Sequence, residues 1–259
     1  MELTYGKYLQ LDKILSAQKV ESEGEHDETL FIIIHQVYEL WFKQLIHEGN
    51  HLITTLKSSD CTGALHTLRR MLKIMKTMVS QVDILETMTP LSFSAFRSYL
   101  KSSSGFQSLQ FREFEILMGK RPINVLSKLP KVEVDLAGLK QRCEEPSLYD
   151  FLLKFLKSKG SDMPTEILER DFSKEYSGNE EVQRRILEVY RKGGELSLIC
   201  ESLVDLDEGV QEWRYRHVKM VERTIGHQKG TGGSAGVEYL KTTLFKPLFP
   251  DLWAVRSDF

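Results

Sequence analysis

No proline occurs between residues 1 and 89, and none between 165 and 246. Proline breaks helix interiors, so these two stretches are where long helices can run. The seven prolines fall at 90, 122, 130, 146, 164, 247 and 250, which marks 120–165 as a loop-rich middle.

Apolar residues in the first stretch repeat at helical spacing. Leu30, Ile33, Ile34, Val37, Tyr38, Trp41 and Leu45 form one stripe; Leu65, Leu68, Leu72, Met75, Val79, Val82 and Leu85 form another. The polar break Lys57-Ser58-Ser59-Asp60 between them predicts an antiparallel helical hairpin. In the second stretch Leu196, Ile199, Leu203, Leu206, Val210, Trp213, His217 and Met220 alternate steps of three and four. That seam predicts a long helix buried along one side. The only strand-like segment, Val132-Glu133-Val134-Asp135-Leu136, has no hairpin partner. The expected fold is all-α, a helical bundle with long antiparallel helices in a single domain over 1–259.

Composition narrows the function. Lys plus Arg is 35 and Asp plus Glu is 37, so the formal charge is -2. Nucleic acid is therefore not the expected partner, because phosphate binding usually needs a basic excess. The longest apolar run, Leu30 to Ile34, is far short of a membrane span, and the N-terminal residues lack a secretory pattern. Cysteines stand alone at 61, 143 and 200, without the pairs that bind zinc or attach haem covalently. Isolated thiols predict a reducing cytoplasmic setting.

His217 occupies a position on a seam otherwise filled by apolar residues, with Trp213 one turn before it and Arg214, Arg216 and Lys219 on the same turns. It reads either as a core histidine satisfied by one hydrogen bond or as an iron ligand beside an anionic cofactor such as haem. His35 interrupts Phe31-Ile32-Ile33-Ile34 and shares a helix face with Phe31, Tyr38 and Phe42. It reads as a core histidine or as the polar group of an aromatic pocket. Gly230, Gly232, Gly233 and Gly236 enclose Thr231 and Ser234 in a loop whose backbone can approach a ligand or form an anion nest. His47-Glu48-Gly49-Asn50-His51 matches the H-E-x-x-H zinc motif. Its weak helix residues, its place near the end of the first helix and the lack of a third ligand argue against zinc. His26, His66 and His227 are expected on the surface.

Several ordered motifs resemble the tryptophan 2,3-dioxygenase family. They are Tyr5-Gly6-Lys7-Tyr8-Leu9, His26-Asp27-Glu28 leading to His35-Gln36, Glu39-Leu40-Trp41, Leu85 to Pro90, Phe96-Arg97, Ser103 to Gln110, Trp213 to His217 and the loop Gly230 to Gly236. The resemblance implies an all-α homotetramer, a dimer of dimers, holding non-covalent haem b that is ferrous when active. It implies cleavage of the indole C2–C3 bond of L-tryptophan by O2 to give N-formylkynurenine. A related enzyme oxygenating a substituted indole is the alternative.

By resemblance, His217 is the axial ligand of the haem iron and His35 meets the indole N–H as a positioning group. Arg97 pairs with the substrate carboxylate, and Thr231 holds the amino-acid end. Phe31 and Phe93 line the indole pocket, Ser104 and Gly105 lie on a loop over the haem, and Tyr5 and Tyr8 reach the pocket from a neighbouring subunit. Ala235 stands where the family loop often carries serine, and Phe93 where some members have tyrosine.

Overall fold

The computed structural model describes residues 2–129, 136–233 and 235–259. Among them there is no strand. Residues 132–135 of the alternating segment, and Ser234, lie outside the described residues.

The chain begins with two short helices, α1 (Tyr5–Leu9) and α2 (Leu11–Leu15). The long hairpin follows as α3 (His26–Lys57) and α4 (Cys61–Leu85). Ser59 takes a positive φ of 61° in the turn, and the Asp60 carboxylate caps α4 by accepting from the Gly63 N–H at 2.9 Å. Helix α5 (Pro90–Arg97) starts with proline in its first turn, where no backbone donor is lost, and Thr89 caps it. Next come α6 (Leu109–Leu117), α7 (Ile123–Leu126), α8 (Leu136–Cys143), α9 (Leu148–Ser158), α10 (Thr165–Leu168) and α11 (Glu180–Lys192). The second long proline-free stretch forms α12 (Glu195–Ile225), and α13 (Val237–Lys241) and α14 (Pro250–Ala254) complete the set.

Helix α4 packs against both α3 and α12. Leu45, Leu68, Met71, Met78, Ile199, Leu203 and Leu206 are fully buried between them, each contributing about 1.5–3 kcal/mol. The α12 seam follows its sequence pattern from Ile199 to Trp213. On α3 the pattern errs at one position: Ile33 is 41% exposed, while Phe42 is 4% exposed and in the core. Ile33 and Phe42 are about two and a half helical turns apart and so lie on opposite sides of α3, and the buried face is the one that carries Phe42.

Two buried carboxylates anchor the ends of the fold. Asp207 on α12 accepts from the Leu248 N–H at 2.7 Å and the Trp253 indole N–H at 2.9 Å, tying the C-terminal segment to the helix that carries His217. Glu28 accepts from the backbone N–H groups of Glu21 and Ser22, each at 2.9 Å, and from the Ser22 hydroxyl. Gln36 holds the same N-terminal arm, residues 2–25, by accepting from Gln18 at 2.6 Å and donating to the Ala17 carbonyl at 3.1 Å. No helix among the described residues is long and apolar enough to cross a membrane.

Candidate active site

A deep cavity opens between α3, α5, α12 and the loops 103–108 and 230–236, with a volume of about 1700 Å³ counting its mouth. Phe31, His35, Phe93, Arg97, Ser104, Gly105, His217 and Thr231 all line it.

Helix α3 presents Phe31 and His35 to the cavity one turn apart. The His35 Nδ1 lies 2.7 Å from the Phe31 carbonyl oxygen. A carbonyl only accepts, so Nδ1 carries the proton and Nε2 keeps its lone pair. Burial lowers the His35 pKa, against the raising effect of this bond, which favours the neutral ring. Phe31, Phe93 and Phe96 pack beside it, with centroids 5.3–5.8 Å apart.

His217 reaches the cavity from α12. Trp213 stacks on it with centroids 5.6 Å apart and planes 12° from parallel. Among the described residues no hydrogen bond reaches either ring nitrogen, so the single-bond core histidine is not what forms. Burial, with the nearby His35 and Arg214 adding to it, pushes its pKa down to about 4. A neutral, unpartnered imidazole is an available ligand for a metal.

The basic residues around His217 sort differently from the sequence expectation. Arg214 lines the cavity, but Arg216 pairs with Asp83 at 2.6 Å and Glu86 at 3.2 Å. Lys219 pairs with Glu222 at 2.7 Å. Both turn away because their positions on α12 face the outer edge of α4 or α12's own surface. Arg112 on α6 takes their place at the cavity wall. Its local signal was an i,i+3 charge pair, Arg112 with Glu115, between the apolar residues of Phe111-Arg112-Glu113-Phe114-Glu115-Ile116. Arg112 Nη1 and Arg214 Nη2 each lie 2.5 Å from a Glu115 oxygen. Two buried cations thus share one carboxylate, and Arg112 Nε has no acceptor among the described residues. Glu39, one turn after His35, also lines the cavity, and burial pushes its carboxyl up; sequence reading gave it no role.

The glycine loop forms the cavity rim. The Thr231 hydroxyl donates to the Ser103 carbonyl at 2.5 Å. A Cβ on Gly232 would sit 2.7 Å from Ser104 Cβ, so the two loops approach as closely as they do only because residue 232 is glycine.

Other sequence candidates fall elsewhere. Tyr5 and Tyr8 are 75% and 71% exposed and do not line this chain's cavity. His26, His66 and His227 are on the surface. The H-E-x-x-H motif lies inside α3, which runs on to Lys57 instead of ending there. His47 and His51 are exposed, while Glu48 is buried and paired with Arg70 at 3.0 Å. No cluster of three metal-binding side chains occurs among the described residues.

Fold and site together define an all-α enzyme built around an aromatic chamber with a histidine from each of two long helices. The family model described as tryptophan 2,3-dioxygenase matches residues 1–128 and 189–259. The tryptophan 2,3-dioxygenase of Anaeromyxobacter sp. (strain K) is 56% identical over 98% of this chain and 96% of its own length. The one from Herpetosiphon aurantiacus is 53% identical over 99% and 98%, and the one from Caulobacter vibrioides 44% over 99% and 98%. The chain belongs to the tryptophan 2,3-dioxygenase family.

Proposed function

We propose that this chain is a haem-dependent dioxygenase that opens the indole C2–C3 bond of L-tryptophan with O2, giving N-formylkynurenine. The observation that carries the site assignment is the pair of neutral histidines on one aromatic cavity. Among the described residues one has no hydrogen-bond partner, and the other has a single free acceptor.

The residues present fit a haem. His217 would hold its iron. The surplus positive charge of Arg112 and Arg214 over Glu115, with the unsatisfied Arg112 Nε, suits the acidic side chains of the macrocycle. When bound, the haem supplies the O2 chemistry that cleaves the indole ring.

The chain's own residues position the substrate and exclude water. Phe31 and Phe93 enclose the indole. His35 Nε2 accepts from the indole N–H, a positioning bond worth about 0.5–1.5 kcal/mol. Arg97 takes the carboxylate through two parallel charge-assisted bonds, and Thr231 holds the amino-acid end. Ser104 and Gly105, on the cavity wall, would cover the bound group. Tyr5 and Tyr8 complete the pocket of a neighbouring copy in a homotetramer, and the enzyme works in the cytoplasm.

The test is an absorption spectrum of the reduced protein with and without L-tryptophan and CO, followed by product mass under 18O2. A haem spectrum perturbed by tryptophan and a product carrying two labelled oxygens are expected. One labelled oxygen would replace this reaction with mono-oxygenation.

A further inference from the structure

The Arg97 fork is already occupied from within the chain. Nη1 donates to the Gln228 side-chain oxygen, and Nη2 donates to the Lys229 carbonyl at 2.6 Å. Two consecutive residues just beyond α12 thus give the guanidinium two oxygens, one on each terminal nitrogen. A bidentate carboxylate makes the same pair of contacts.

We propose that Gln228 is a specificity-determining residue: with the Lys229 carbonyl it fills the Arg97 fork as a neutral stand-in that a substrate carboxylate must displace. This rests on the reading of Arg97 as the carboxylate partner. The exchange trades a neutral acceptor for a charged one. The guanidinium is charged in both cases, but a carboxylate adds a full opposite charge and matches the fork with two parallel bonds, so it wins the fork while a ligand without one leaves Gln228 in place.

The exchange is felt along the rim of the cavity. A Cβ on Gly236 would sit 2.5 Å from the Gln228 carbonyl oxygen, so these two parts of the loop are packed backbone to backbone. Thr231, between them, bonds Ser103, and both Thr231 and Gly236 line the cavity. The carboxylate therefore meets the rim at the point where the loop is fastened to α5. Gln228 and Lys229 are exposed, so side-chain changes there do not disturb the core.

The test uses full-length holoprotein and equilibrium titration with L-tryptophan and with tryptamine, which lacks the carboxylate. Gln228→Ala removes the side-chain competitor, and L-tryptophan should bind roughly 3- to 10-fold tighter, with tryptamine unchanged. Gln228→Glu puts a charged competitor in the fork. L-tryptophan should weaken by a similar factor or more, and tryptamine should not weaken. Unchanged or weaker L-tryptophan binding in Gln228→Ala, or an equal shift for both ligands, overturns the proposal. Arg97→Leu separates it from the reading beneath. Undiminished L-tryptophan binding in that variant removes the Arg97 assignment itself, whereas weakened binding there with no gain in Gln228→Ala removes only the role of Gln228.

Discussion

The His35 Nδ1–H donates to the Phe31 carbonyl at 2.7 Å, and the two rings stand 4.1 Å apart by centroid. The backbone bond fixes the tautomer and so decides what His35 offers a ligand: an acceptor at Nε2 and nothing else. His35→Ala should lower tryptophan affinity or turnover by about tenfold, the scale of one neutral hydrogen bond. Burial holds the His35 pKa below the usual 6.5. The acceptor is therefore lost only as pH falls through that lowered value, and tryptophan affinity should drop on the acid side of 6.5. Titrating the dissociation constant against pH checks this; a variant that kept the same acid limb would show that another group titrates. The variant should also penalise 1-methyltryptophan less than the parent does.

His217→Ala should abolish stable haem binding at ordinary haem supply. The imidazole is the cavity's one histidine free at both nitrogens among the described residues, and Trp213 holds its ring plane. The haem-to-protein ratio after purification measures it. Full haem content with an unchanged spectrum would place the ligand elsewhere.

Glu28 should control the docking of the N-terminal arm. Burial pushes its carboxyl up, but bonds from Glu21 and Ser22 outweigh this and hold its pKa below the ordinary 4.5. The folded pKa is depressed, so its contribution is fully present above 4.5 and is lost as pH falls through the lower folded value. Glu28→Gln should cost about 1–3 kcal/mol of arm docking, because one donor is left facing an amide. Hydrogen exchange over residues 2–25 should rise in the variant, and in the parent only at acid pH. Equal exchange in both proteins at neutral pH would mean that other contacts hold the arm.

Deleting residues 1–10 should weaken tryptophan binding and subunit association together while haem stays bound. Neither α1 nor α2 contains a buried residue, and Tyr5 and Tyr8 stay largely exposed in the single chain. Mixing the truncated chain with Arg97→Leu chains is the sharper measurement. A site in a mixed oligomer can then combine an intact Arg97 with an intact arm, and activity should return. No recovery in oligomers shown to be mixed would mean that each chain builds its own pocket.

Much of the fold was legible because its determinants are local. Two proline-free stretches and a period of three to four residues located α3, α4 and α12, and polar interruptions of apolar stripes singled out His35 and His217. Their full set of roles came from resemblance to a family, since spacing alone left each histidine open to a core reading. The chemistry of an apolar stripe broken by one imidazole is written in consecutive turns of a single helix, and such a signal survives without knowledge of what packs against it.

Pairing across distant segments was not legible. Arg112, Arg214, Arg216 and Lys219 look alike as charges on helices, yet only Arg112 and Arg214 reach the cavity. Gln228 and Arg97 are 131 residues apart, and nothing in either neighbourhood announces that they meet. Helical period fixes which face a side chain occupies, but not what lies opposite that face. That is set by how α3, α5, α6 and α12 come together, and only the tertiary structure decided it.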